Sequence, residues 1–484
     1  MKNLASPAQA QSSAVTETQQ HLRRELGLRD LVLAQILCVV GAAWVGVAAK
    51  LGRAHVVFWL AAMLLFYLPL ACTVILLNRR QPLEGGLYQW AKSGFGDLLG
   101  FMTAWNLWVY AIICVPEVLY VIPTDIAYFI GDGAEWIPAS RRISALLIFG
   151  VTVLISAVAV RGLGIAKWLH NAGSVMICLA YVILIGLPLL VAFNGHPAHY
   201  QPLPWQAPHL SLFSVAVFGQ MTIGGLSGFE YVAIMAGECR NPGRNVGRSV
   251  LISAPIIALM FILGTSSVLA FIGDRPINLI GPIPQTFRLA LGGTTAGESL
   301  ARFGILLSIG RAVASASLLF TGLTRLPMTA GWDHFLPRWF TALHPRWKTP
   351  VNSIVFVAAL VVAMLVLSML GVREQETMQL LVNASTVHYG ISYLALFALP
   401  LFGFAHFRKN LPRWSKIVAA AGLCATLVAV VIAVYPIIDV SSRASYAAKI
   451  AGAVVVSNTA GFLVYRSRSK GKRAIRQGIA EGTR

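Results

Sequence analysis

The chain has 484 residues, 57% of them hydrophobic and only 12% charged, with a mean hydropathy of +0.71. That balance excludes a soluble domain with a large core and predicts a polytopic membrane protein with about a dozen spans. A net charge of +20 would suggest a nucleic-acid partner in a soluble protein; here it has to be weighed first against membrane topology.

Residues 1–30 are polar, with Arg23, Arg24 and Arg29 just ahead of the first apolar run, and no small-residue cleavage site follows that run. They read as a cytoplasmic tail rather than a removed signal peptide. Apolar runs then predict spans at 31–50, 55–78, 97–121, 143–160, 168–193, 211–236, 249–272, 300–322, 351–370, 378–402, 415–436 and 446–465. Alternating the loops from an inside N-terminus puts 27 of the 38 Lys and Arg residues inside and 10 outside, with Arg311 within a span. The positive-inside rule therefore supports the even number of spans and accounts for most of the net charge. The last stretch, 466–484, reads as a basic cytoplasmic tail, either solvated or touching anionic headgroups.

The first span has a weak place at Gly41-Ala42-Ala43-Trp44-Val45-Gly46. The third carries an acid, Glu117, beside Pro116. Before it, NRRQPLEGGLYQWAKSGFGDLLGFMTAWN begins too polar to span; Gly85 and Gly86 allow a tight re-entry, and Tyr88 and Trp90 suit the lipid interface. In the sixth span the run Gly224-Gly225-Leu226-Ser227-Gly228 precedes Phe229 and the acidic Glu230. Three glycines in five positions near the bilayer middle are poor helix formers, and lipid offers no partner for freed backbone groups. An interrupted helix there predicts a binding site: the resumed helix aims its positive end at an anionic group, and freed carbonyls hold a cation or amine. The plainer alternative is that the glycines let helices pack closely and Glu230 is a protonated structural group.

Glu117 reads either as a cation or proton site or as the ion-pair partner of Arg311. Ser315 and Ser317, in the eighth span, are hydroxyls suited either to a sodium ion or to helix packing. His388 could titrate near neutral pH or serve as a hydrogen-bonded packing residue. The basic, amphipathic TRLPMTAGWDHFLPRWFTALHPRWKTP predicts a helix lying on the cytoplasmic face. His196, His199 and His209 share an outside loop without a fourth ligand, so no metal site is expected. Cys38, Cys72, Cys114, Cys178, Cys239 and Cys424 are dispersed and give no disulfide framework. There is no nucleophile elbow and no nucleotide-binding loop, so the chain is not expected to be an enzyme.

Three ordered segments resemble the amino acid, polyamine and organocation transporters. PLEGGLYQWAKSGFGDLLGFMTAWN is similar to their P-x-x-G-G-x-Y segment; GFEYVAIMAGECRNPGRNVGRS resembles their sixth helix and its Asn-Pro loop; and the segment after the eighth span matches at Arg325, Asp333, Leu336-Pro337 and Thr349-Pro350. The resemblance covers residues 26 to 405. It implies an all-α, leucine-transporter-type fold of ten helices in two inverted repeats, 31–193 (helices 1–5) and 211–402 (helices 6–10), with the substrate between broken helices 1 and 6. The apolar runs add helices 11–12 at 415–465, outside the repeat, for twelve in all. It also implies a secondary active transporter moving an amino acid or related amine by alternating access in the plasma (inner) membrane. A polyamine or organic cation transporter and a non-transporting nutrient sensor are the alternatives. Carried over by position, Gly41, Ala42 and Ala43 bind the substrate carboxylate, and Gly224 to Phe229 lie near its amino group. The second helix 1 glycine of the family is Ala43 here, and Trp44 follows, either narrowing the pocket or stacking on a cation. Glu230 matches a glutamate of the arginine to agmatine antiporters, linked to protons or substrate. The fifth-helix lysine used by some relatives falls at Met176. No cofactor is expected, with H+ or Na+ as the candidate coupling ion.

Overall fold

The computed structural model describes residues 26–81, 86–194, 200–201, 203, 206–230, 239–327, 338–368, 374–408 and 411–481. The described residues are helical throughout their regular structure, joined by one isolated parallel bridge between Leu26 and Cys239. Among them, nine helices are long and apolar enough to cross a membrane. A tenth crossing is a bent pair, α1 (Leu28–Val39) and α2 (Ala42–Ala49), with a 44° change of direction. Two shorter apolar helical segments, Leu212–Gly225 and Val351–Leu367, accompany them.

The span Gly52–Arg80 (α3) contains a π-helical turn at Met63–Tyr67 just before Pro69. Proline cannot donate to the helix ladder and its ring pushes on the preceding turn, so a widened turn there has a local cause. A short amphipathic helix, α4 (Leu87–Phe95), leads into α5 (Asp97–Leu119), which bends at Tyr120 into α6 (Val121–Ile130). Tyr88 and Trp90 do not sit at the lipid interface, as their amphipathic rings suggested. Both are buried in protein, and the Trp90 indole donates to the Gln81 carbonyl at 3.0 Å. They are on the inner face of α4, which packs on α5.

There follow α7 (Arg141–Arg161), α8 (Leu163–Asn194), α9 (Leu212–Gly219), α10 (Pro242–Ile272), α11 (Pro282–Leu291) and α12 (Thr295–Arg325). The last four are α13 (Val351–Ser368), α14 (Glu374–Phe402), α15 (Arg413–Ile432) and α16 (Arg443–Glu481). Two layers emerge from burial. Helices α5, α10, α12 and α14 are mostly covered by protein, whereas α7, α15 and α16 turn Leu146, Ile417 and Val456 outward. Apolar side chains exposed on every outer helix are what a lipid-facing wall requires. Small residues set the closest approaches inside: a Cβ on Gly173 would lie 2.1 Å from that of Ala314, drawing α8 against α12. The helix of α16 continues past Arg466 to Glu481, through the basic tail, whose Lys, Arg, Ala and Gln are good helix formers. Residues 328–337 of the segment expected to lie on the cytoplasmic face, and the loop histidines His196 and His199, fall outside the described residues.

Candidate substrate-binding site

The first break is at Val40 and Gly41, both extended, and α2 resumes at Ala42. The weak place is therefore shorter than the sequence suggested: Ala42 to Gly46 are helical, and only the two residues before them are unwound. Carbonyls of the first helix, at the break and before it, accept from side chains of neighbouring helices. Ser174 of α8 donates to Leu33 O at 2.8 Å, Ser315 of α12 to Leu37 O at 3.2 Å, and Tyr181 of α8 to Gly41 O at 3.4 Å. Such partners are what allow irregular backbone at membrane depth.

The second break follows α9. Residues Gln220–Gly225 form a π-helical turn, Leu226 leaves helical geometry, and Gly228 has φ of +123° before helix is regained at Phe229 and Glu230. Residues 231–238 lie outside the described residues, so the resumed helix is seen only at its start. The Gly228 N–H donates to the Tyr393 hydroxyl at 3.1 Å. A Cβ on Gly228 would come within 3.2 Å of Cys38 Sγ and Val39 Cγ2, so the two breaks touch back to back.

Trp44 spans the gap between them. Its indole lies over Gly41 at one edge and Gly224 at the other; a Cβ on Gly224 would be 2.3 Å from Trp44 Cη2. Trp44 is therefore a wall shared by both breaks, and it narrows the site. Together the breaks enclose a cavity with about 40 Å³ for water-sized molecules, lined in part by Gly41, Trp44, Glu117, Gly224, Arg311 and Ser315. At roughly 10–15 Å³ per water centre, that holds a few waters.

Of the residues picked out from sequence, Gly41, Trp44, Gly224, Glu117 and Ser315 line this cavity. Ala42 and Ala43 follow directly in the first turn of α2, and Gly225 packs on Trp59 and Trp44. Leu226, Ser227, Phe229 and Glu230 are buried beside the cavity without lining it. Ser317 points elsewhere: its hydroxyl faces His170 Nε2 at 3.3 Å, on the side of α12 away from the helix 1 break.

The acids have definite partners. Glu117 accepts from Ser385 at 2.8 Å and forms no ion pair with Arg311 within 4.0 Å, which removes that reading of the two charges. Glu230 is fully buried; its carboxylate accepts from both the Tyr389 and the Tyr393 hydroxyls, the latter at 2.8 Å. Tyr389 lines the cavity and stacks on Tyr110 with ring centroids 3.7 Å apart, so it stands between Glu230 and the cavity space. His388 is held by Ala384 O at 2.9 Å and Ser457 Oγ at 2.6 Å, a packing role between α14 and α16.

The tyrosines and Ser385 were missed from sequence. Their signal was present: α14 buries Gln379, Asn383, Ser385, Thr386, Tyr389 and Tyr393 in one apolar span, and polar groups at membrane depth face interiors or cavities. Buried charges and unwound backbone that converge on a central cavity in a multi-pass helical protein are the build of a membrane transporter. The chain belongs to the amino acid permease family, whose profile matches residues 26–456. It is 23% identical over 332 residues to an uncharacterized transporter of Legionella pneumophila, covering 68% of this chain and 70% of that one. It is 24% identical over 328 residues to a probable agmatine/putrescine antiporter of Lactococcus lactis (66% and 67% covered). Against the lysine-specific permease of Escherichia coli it is 25% identical over 243 residues, 47% of each chain.

Proposed function

We propose that this permease is a secondary active transporter, a symporter or exchanger, that moves an amino acid or related amine by alternating access. The carrying observation is the cavity closed between the two helix breaks, with a cation, an acid and hydroxyls on its walls. Nine long helices, one bent pair and two shorter apolar segments support twelve crossings. On this reading 31–193 and 211–402 are inverted repeats of five helices, 415–465 adds two more, and 1–30 and 466–484 lie on the cytoplasmic side of the inner membrane. The backbone at Gly41 to Ala43 and the start of α2 receive a carboxylate; the carbonyls around Gly224 to Phe229 receive an amino group.

Glu230 is the first coupling residue. Two tyrosine hydroxyls hold its carboxylate, and rocking of the second break would change that shell and with it the affinity for a proton. Glu117, in the cavity itself, is the second candidate and supports a cationic substrate or coupling ion. For Na+, Ser315 Oγ and Leu37 O are the paired oxygens, and Ser317 does not join them.

Proteoliposomes holding the purified chain take up a labelled amino acid saturably and show counterflow. Glu230→Gln flattens the pH dependence of that uptake across roughly pH 5 to 8. A pH profile identical to the parent would remove Glu230 from coupling. Ligand binding without counterflow would favour the sensor reading.

A further inference from the structure

We propose that Arg311 anchors the substrate through a carboxylate, so that this site takes amino acids with the carboxylate intact and discriminates against the amines left by decarboxylation. The inference rests on the transport reading above and narrows its substrate class.

Arg311 lies in the middle of α12 and is only 3% exposed, yet it lines the cavity. Its Nε has no hydrogen-bond partner, and no carboxylate lies within 4.0 Å of it among the described residues. A guanidinium carries five donors and cannot shed its charge, so a buried one without a partner is poised for a ligand. Two acids stand near without satisfying it. Asp125 of α6 is close enough to interact electrostatically, but makes no ion pair with Arg311, and its own Oδ1 is unpartnered. Glu117 shares the cavity but is engaged by Ser385. Asp125 thus offsets the charge at a distance while the donors remain available.

The position of Arg311 identifies the ligand group. Tyr181 interacts electrostatically with Arg311 and donates to Gly41 O at the first break, and Ser315, one turn along α12, donates to Leu37 O at the same break. Arg311 therefore stands beside the N-terminus of α2, where the backbone also favours an anion. Trp44 covers part of that backbone at Gly41, which leaves a side-chain cation to supply attraction that the helix end alone would give. The planar fork of a guanidinium matches the two oxygens of a carboxylate, and a diamine brings it only a like charge.

The test uses the full chain with matched pairs: arginine and agmatine, ornithine and putrescine, lysine and cadaverine, leucine and 3-methylbutylamine. Thermal-shift titration and counterflow in proteoliposomes read each pair. The parent protein binds the amino acid of its preferred pair at least about tenfold more tightly than the amine, since a site built for a polar group rejects the analogue lacking it. Arg311→Gln compresses that ratio below about threefold, and Arg311→Lys restores part of it. If Arg311→Gln does not fold, the double variant Asp125→Asn/Arg311→Gln, which removes both local charges, reads the same ratio. An amine bound as tightly as its parent amino acid, or a ratio unchanged in a folded charge-free variant, overturns the role of Arg311 and leaves the transport reading standing. No response to either member of any pair overturns the transport reading, and this inference with it.

Discussion

Among single residues, Trp44 and Tyr393 govern the site in different ways. Trp44 already occupies the space a side chain at Gly224 would need. Gly224→Ala therefore overpacks the wall, costing about 1–3 kcal/mol of local strain, and lowers uptake. Adding Trp44→Phe, which shortens the indole, recovers part of the uptake; no recovery in the double variant would mean the clash is not with Trp44. Tyr393 accepts from the Gly228 N–H and donates to Glu230, whereas Tyr389 donates to Glu230 from the cavity side. Tyr393→Phe then removes the partner of the Gly228 N–H and one of the bonds to Glu230, and Tyr389→Phe only one bond to Glu230, at about 1–3 kcal/mol for each bond lost. Unfolding of the purified variants in detergent checks the order, with Tyr393→Phe the less stable. The sequence made Glu230 visible because an acid in an apolar run is conspicuous. It hid the tyrosines, since an aromatic in a membrane helix reads as packing until its hydroxyl is seen to face a carboxylate 159 or 163 positions away.

The two broken helices were legible as elements because glycine and alanine clusters interrupt otherwise uniform apolar runs. Their limits were not. The first break narrows to Val40 and Gly41, since Ala42 and Ala43 are strong helix formers and Trp44 tolerates a helix once its ring has a place to pack. The second is widened upstream by a π turn at Gln220–Gly225. That turn was hidden because its backbone depends on tertiary partners: Gln220 donates to Gln379 and Asn383 on α14 at 3.0 and 2.8 Å. At the far end of this break Gly228 takes a left-handed conformation against Cys38 and Val39. Gly228→Ala costs about 1–3 kcal/mol, measured as a lowered unfolding temperature, because strained φ and crowding act together. An unchanged unfolding temperature would show that the break relaxes freely. Most of the apolar runs fall on helices of the described residues, but several helices extend further: the third run, expected to end at 121, continues to Ile130, the seventh begins at Pro242 rather than 249, and α16 runs on to Glu481.

For the molecule as a whole, burial separates lipid-facing outer helices from inner helices packed around the cavity. Cys38 and Cys114 both face that cavity, whereas Cys424 is exposed on an outer helix. With the other cysteines replaced, Cys38 reacts with a water-soluble thiol reagent at a rate that follows the access state, and saturating substrate slows it. A rate indifferent to substrate would separate Cys38 from the transport path. The cavity between the breaks has room for only a few water-sized molecules. A ligand must first find a wider conformer, so its apparent dissociation constant is the intrinsic one divided by the fraction of molecules already wide enough. Substitutions that thin Trp44 would raise that fraction, and affinity with it, without adding one new contact to the ligand. Turnover would then slow if tighter holding delays release.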